Sequence, residues 1–285
     1  MRKVELKTPQ AWLVLVLKIL LFLVFFVYAL SLIYPFVWIL YNSFKTGRDF
    51  FQDSWGLPAA PTVYNYFAAW TKSGVGNYFF NSVWITAAGV IGLMLSSSMA
   101  AYALSKYRFR LHGLVYGMAV ASFLLPQVGT LGAFYVLMNR LSLFNPVGLI
   151  LYYSGGLGTA MIILYGFFRS IPWDYAEAAF MDGAGHTRVF FQIMLPMVKA
   201  GLIPVAILNT ITYWNDYFIP SILLIDPKSK TIAIGLEELL QTATRTNNVP
   251  LMFAATIIVS LPMFVLFLVM RRKIMSSFVL GGLKG

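Results

Sequence analysis

Cysteine is absent from this 285-residue chain. Neither a disulfide nor a thiolate metal site is therefore available to it. Histidine is almost absent: the two, His112 and His186, lie far apart, each in or at the edge of a polar interval. A metal site is not expected, and a solvated surface is the default for both. Charge is scarce too, at 11% of residues against 59% hydrophobic. The sequence lacks a G-x-x-x-x-G-K-S/T phosphate loop, an H-E-x-x-H zinc motif and any Ser/His/Asp set that could meet at one depth. Gly155, Gly156 and Gly158 are followed by no Lys-Ser/Thr pair and do not make a phosphate loop. The chain is thus not expected to hydrolyse ATP, to act as an enzyme or to hold a cofactor of its own.

What is present in quantity is apolar sequence. Mean hydropathy is +0.76, and runs of about 20 or more apolar residues read as membrane spans. Six spans are expected, at about 11–41, 77–105, 111–138, 147–168, 200–224 and 249–270, in a single all-α polytopic domain. The first is too long for a signal peptide, has no clear cleavage site and reads as an uncleaved span. The net charge of +11 sits in short intervals between spans. It therefore speaks for membrane orientation and lipid rather than nucleic acid as a partner. Of the 21 Lys and Arg, 13 fall in the N-terminus, the second and fourth loops and the tail, and 7 in the other loops. That excess places both termini in the cytoplasm. Loops 42–76, 139–146 and 225–248 are then extracytoplasmic, while loop 169–199 and tail 271–285 are cytoplasmic.

Several spans carry polar or small residues that invite a function. Span two has Ala88, Gly92, Ser96 and Ala100 at four-residue spacing. Such a face lets another helix approach closely, within the chain or on a partner. Span three is interrupted by Pro126 and Gln127, and freed backbone groups in lipid need another partner. That break is a candidate for the translocation path or an ordinary kink. Span five is the most polar. Asn209, Thr212, Tyr213 and Asp216 share one helical face by their three- and four-residue spacings. Asp216 either lines a solute path beside Tyr213 and Trp214 or stabilises helix packing near the outer interface, where Trp and Tyr concentrate; the packing reading is preferred.

The most informative interval is 169–199. Ser170 suits a helix cap and Pro172 a first turn, with Asp174 and Glu177 early in the helix at its positive end. Gly183 and Gly185 break that helix. A second short helix, about 187–195, would present Val189, Phe190 and Ile193 on one side before Pro196 stops it. Two short helices with a glycine elbow make a compact knob. Small alanines let a partner come close, and Glu177 and Asp182 offer charge.

Glu177, Ala178, Ala179, Asp182, Gly183, Ala184, Phe190, Ile193, Leu195 and Pro196 make ten matches over twenty residues to the coupling loop, or EAA loop, of ATP-binding-cassette (ABC) importer permeases, which the interval resembles. Asn81-Ser82, Gly166-Phe167-Phe168, Ile171-Pro172, Trp214-Asn215-Asp216, the stretch Ala100–Phe109 and the Lys284-Gly285 ending resemble the carbohydrate-uptake branch of that family, most nearly the smaller permease of maltose-type importers. The resemblance implies the type I importer fold and a second permease beside this one. It also implies two cytoplasmic ATPases that hold the ATP and Mg, and an extracytoplasmic solute-binding protein. It further implies that Glu177 faces a basic residue in an ATPase cleft and that Asp182 and Gly183 fix the turn. Loop 225–248 would reach the binding protein, and Leu283, Lys284 and Gly285 would reach between the ATPases. The alternative is a gradient-driven transporter. It would need ionisable groups inside spans, and only Lys18 and Asp216 are candidates.

Overall fold

A computed structural model of the chain describes residues 9–124 and 127–282. Among the described residues the fold is entirely helical, without strands. Three helices are long and apolar enough to cross a membrane: Trp12–Asn42, Val75–Lys106 and Val249–Arg271. They lie in α1 (Pro9–Asn42), α4 (Val75–Lys106) and α14 (Val249–Gly282). These are the expected spans one, two and six. A fourth results if two helices meeting at a bend of 80°, His186–Met197 and Lys199–Asn215, are counted together.

The expected spans four and five are each divided. On the expected span three lie α5 (His112–Leu124) and α6 (Gln127–Arg140); Pro126, where a break is expected, lies outside the described residues. Span four, read from sequence as continuous, is α7 (Pro146–Tyr153) and α8 (Thr159–Ser170) with an open stretch between. The glycines there form that opening and not a helix interior. Glycine is a poor helix former, and Gly156 is pressed against α4, where an added Cβ would lie 2.8 Å from the Ser96 side chain. In span five, α11 (Lys199–Asn215) ends at Asp216, and α12 (Phe218–Leu223) follows.

The chain forms two compact units. One is built on Gly74–Glu238 and the chain from Val259 onward. Its centre is α4, which packs along α7, α8 and α11. The small-residue face explains why. Gly92 abuts the Ser154 side chain, and the Ser96 hydroxyl donates to Ser154 O at 2.7 Å. Gly89 meets Tyr153, where a Cβ would lie 2.8 Å from its ring stem. At Gly92 and Ser96, therefore, the close approach is made within the chain. The N-terminal end of α4 holds the polar connector before α13 (Ile232–Thr246). Asn81 Nδ2 donates to Lys228 O and Lys230 O, at 2.8 and 3.0 Å. Ser82 Oγ accepts from Ile232 N. The interval 225–248 is thus largely an amphipathic helix, with Ile232, Ile234, Leu239 and Ala243 buried.

The other unit comprises the chain up to Ser73 and Leu239–Ile258. After α1, the short helices α2 (Gly47–Gln52) and α3 (Tyr64–Thr71) fold the connector into a small body. Trp38, Phe50, Trp55 and Phe253 form an aromatic cluster in it. Lys45 is only 1% exposed, and its ammonium donates to Asp53 O at 2.6 Å. Asn65 Nδ2 donates to Ser43 O and Lys45 O at 2.8 and 2.7 Å. Asp53 closes an Asx turn, accepting from the amides of Gly56 at 2.8 Å and Trp55 at 2.9 Å. Those two amides hold its carboxyl below the ordinary carboxylate range.

Candidate functional site: a helical knob and a polar cavity

The interval after α8 folds as two short helices around an elbow. Ser170 is not the cap expected of it: it ends α8, its hydroxyl donating to Phe167 O. The following helix, α9 (Asp174–Met181), starts at Trp173 without a side-chain cap. Its two early acids, Asp174 and Glu177, remain the favourable groups there.

The end of α9 is fully specified. Asp182 is the last cap residue and Gly183 takes φ +80°. Ala184 N donates to Ala179 O at 2.9 Å, and Gly183 N to Phe180 O at 3.0 Å. This crossed pair is a Schellman closure, which calls for a left-handed residue where Gly183 stands. Gly185 has an ordinary extended backbone, with φ −76° and ψ 162°. The elbow therefore needs one glycine, not two.

The second helix, α10 (His186–Met197), differs from expectation in two ways. Its middle, Val189–Met194, is a π-turn. Pro196 does not stop it but lies inside its last turn; the chain turns off at Val198 instead. Leu195 N bonds back to Phe190 O across the π-register. Widening the helix just ahead of Pro196 is a known way of accommodating a residue without an N–H.

Burial divides the knob into an anchored and a free face. Ala176, Ala179, Val189, Phe190 and Met194 are buried. Ile193 packs against the same core, as does Ala184. Phe190 sits with Tyr102 and Phe168, ring centroids 5.2 and 6.4 Å away. On the free face, Glu177, Ala178, Asp182 and Gly183 are exposed. Tyr175 is 52% and Met181 88% exposed. This face therefore leaves the Met181 and Tyr175 side chains uncovered beside the small Ala178.

Sequence reading did not single out what ties the knob down. Lys106, the last residue of α4, gives its ammonium to Ile171 O. Tyr107 contacts the rings of Trp173 and His186 at 5.7 and 5.9 Å. Its hydroxyl lies 2.9 Å from His186 Nδ1. Phe180 completes the cluster, 4.9 Å from His186. His186 is exposed, as expected of it, and its ring also packs on the aromatic groups of the elbow. The aromatic spacing of Tyr102, Tyr107, Trp173 and Phe180 was the available signal.

A second feature lies along α11. Asn209, Thr212, Tyr213 and Asp216 line an open cavity of about 850 Å³ together with Ser122, Thr130 and the 152–160 stretch. The shared face expected of these four residues is present. Asp216 is fully engaged in structure: Tyr153 OH donates to Oδ2 at 2.9 Å, while Oδ1 accepts from Phe218 N at 3.0 Å and Ile219 N at 3.4 Å. Tyr213 stacks on Tyr153 at 3.9 Å between centroids, and its hydroxyl donates to Tyr153 O at 2.8 Å. These bonds are the packing role, and they also fix a polar, aromatic wall on the cavity. The side chain of Gln127, and Leu283, Lys284 and Gly285, lie outside the described residues. Among the described residues, no cluster of His, Cys, Asp or Glu could hold a metal ion.

Comparison with known proteins agrees over most of the chain. Diacetylchitobiose uptake system permease protein NgcG of Streptomyces coelicolor is 34% identical over 252 residues, covering 88% of this chain and 83% of the relative. Melibiose/raffinose/stachyose import permease protein MelC of Bacillus subtilis is 29% identical over 254 residues, covering 88% and 91%. The fold is similar, at a TM-score of 0.76 and 22% identity, to a chain of a bacterial ABC transporter that imports the acidic polysaccharide alginate; the match covers 94% of this chain and 99% of that one. A profile of one transporter family matches residues 92–272, which include the knob, the cavity wall on α11 and the glycine break before α8. On that match and on the relatives, the chain belongs to the family of binding-protein-dependent transport system inner membrane components.

Proposed function

We propose that this chain is the permease subunit of a carbohydrate importer in a bacterial or archaeal cell membrane, with an oligosaccharide or related sugar as its cargo. The family makes it a membrane component of a binding-protein-dependent system and a transport subunit rather than an enzyme. The relatives are named as permeases for sugars of several sizes, which supports the cargo class without selecting one sugar. A gradient-driven transporter has no support among these relatives; of the two candidate ionisable groups, Lys18 lies near the start of span one, where it can reach the interface, and Asp216 is held by the cap of α12 and by Tyr153.

In this reading six spans cross the membrane with both termini cytoplasmic. The knob of α9 and α10 docks in a cleft of an ATPase, with Glu177 toward a basic residue. The ATP and Mg reside in two ATPase subunits. A second permease closes the 850 Å³ cavity into a path, where tyrosine faces with amide and hydroxyl groups suit a sugar. The helix α13 faces a solute-binding protein outside, and Leu283–Gly285 reach the ATPases inside.

The observation that carries the reading is the divided knob: one face locked by aromatic packing, the other presenting Glu177, Ala178 and Met181 to solvent. Because the chain has no cysteine, a single Ala178→Cys gives one unambiguous thiol. In the assembled importer it should crosslink to the ATPase subunits with a short bifunctional reagent, and uptake of a labelled oligosaccharide should stop. A thiol at 178 that stays freely reactive in the assembled, transporting complex would refute the docking.

A further inference from the structure

The ends of three helices meet in a pocket that the coupling role does not use. The last turn of α4, the hairpin after it and the last turn of α8 enclose about 440 Å³ lined by Lys106, Arg108, Phe109, His112, Tyr165 and Arg169 among others. Among the described residues no carboxylate lines it. The Lys230–Glu238 ion pair lies far along the chain, and among the described residues none of the three cations here has an acidic partner within 4 Å.

The simplest explanation is that Lys106 and Arg169 answer the negative C-terminal ends of α4 and α8. That accounts for part of the charge only. Each helix end supplies roughly half a negative charge, which leaves a pocket with three cationic side chains roughly two charges positive. His112 is already engaged through Nε2 with Leu104 O at 2.7 Å. A carbonyl can only accept, so Nε2 carries the proton and Nδ1 is left as an acceptor in the neutral ring. Arg108 and Arg169 are exposed.

The flank of the pocket is apolar and uncovered. Phe109 lines it and is 42% exposed; Leu111 and Leu114, in the next turn, are 57% and 60% exposed. A concave basic site at span ends, with large apolar side chains beside it, matches a molecule that is anionic at one end and apolar at the other. A soluble phosphate would use the first half alone, and an acidic protein segment would not require the apolar rim.

We propose that this pocket binds the phosphate headgroup of an anionic phospholipid, its acyl chains lying along Phe109, Leu111 and Leu114. The headgroup sits beside Lys106, whose ammonium also holds Ile171 O at the start of the knob. Lipid at this site therefore shields the tether between α4 and the knob. The inference rests on the proposed topology, which puts this end of α4 at a membrane face.

The test uses the intact importer, solubilised and titrated with phosphatidylglycerol, with bound lipid read by native mass spectrometry. The variants are Arg108→Gln and Arg169→Gln, both exposed positions, with Arg140→Gln as a cation outside the pocket. Each pocket variant should weaken retained phosphatidylglycerol roughly fivefold and the pair roughly 25-fold, as expected for about one unit of surface electrostatic attraction per cation, while Arg140→Gln changes nothing. Equal lipid retention by the double variant overturns the proposal. So does tight binding of inorganic phosphate that phosphatidylglycerol cannot displace, which would mark a site for a free anion. Loss of ATPase subunits from the double variant with lipid retention unchanged also overturns it, and assigns the pocket to an acidic segment of the ATPase. These outcomes are separate from failure of the Ala178→Cys crosslink, which concerns the free face of the knob.

Discussion

The elbow at Gly183 allows a graded perturbation whose physical cause is isolated. Its φ of +80° lies in the left-handed region, and a Cβ added there meets nothing within 4 Å. Substitution therefore carries a backbone penalty and no steric one. For an ordinary L-residue that penalty is about 1–2 kcal/mol; asparagine, which visits this region more readily, lies below it, and a β-branched residue at or above its top. A penalty of 1–2 kcal/mol lowers the population of the closed elbow relative to opened forms by a factor of roughly 5–30. The spans should still insert, since the Schellman closure involves only Ala179, Phe180, Gly183 and Ala184. The series Gly183→Asn, Gly183→Ala, Gly183→Val should therefore lose coupling in that order. The assay is the ratio of sugar transported to ATP hydrolysed in proteoliposomes, together with co-purification of the ATPase subunits. Two results would refute the reasoning. One is equal loss for Asn and Val, which would mean that the glycine serves space at the docking surface and not conformation. The other is an unimpaired Val variant, which would mean that the elbow is not part of the coupling path.

Three further perturbations follow from particular contacts. Glu177→Lys should reduce transport severalfold while leaving α9 folded, because Glu177 is exposed; an acidic replacement of the facing cation on the ATPase should restore part of it, and failure of every such swap would remove the charge pairing. Asp216→Ala should lower thermal stability by about 1 kcal/mol through the lost cap of α12, whereas Asp216→Asn, which keeps an acceptor for Phe218 N, should lose less; equal melting temperatures for both would show that the cap contributes nothing. Asp53 has its carboxyl held below the ordinary range by the amides of Gly56 and Trp55, so its stabilising effect is present above the unfolded carboxylate pKa and lost as pH falls through the lowered folded one; Asp53→Asn should flatten that acid limb in a melting-temperature profile, and an unchanged profile would exclude Asp53 as its source.

Much of this architecture was legible because the relevant signals are local. A run of apolar residues is enough to read α1, α4 and α14, since the bilayer requires only length and composition. The elbow was legible because Asp182-Gly183-Ala184 states its own backbone conformation. Other features depend on partners distant in sequence. Gly155, Gly156 and Gly158 could have lain in a helix; what opens the chain there is the approach of Ser96 and Gly92 on α4. Pro196 reads as a stop by itself, but the π-register from Phe190 to Leu195 takes up the missing amide. The interval 225–248 looks like a charged connector until Asn81 and Ser82 secure its start and its apolar residues gain a surface to cover. His186 is exposed, as its polar interval suggests, but nothing near it in sequence except Phe180 predicts the Tyr107 contact.

The tether at the end of α4 also bears on how the proposed coupling would work. A stroke delivered to the knob has to reach the cavity wall on α11, and two routes are available. One is covalent, through Val198, where the chain bends by 80° between α10 and α11. A bend of that size is a poor strut, since force along one helix arrives nearly sideways on the next. The other route is packing: Phe190 bears on Tyr102 and Phe168, and so on α4 and α8. From there α4 runs unbroken past Ser96 to Gly89, where Tyr153 lies against it and carries Tyr213 and Asp216. Close-packed side chains transmit displacement with little compliance. In this reading the small-residue face of α4 couples the knob to the cavity, and the 80° bend is the joint that lets α11 follow.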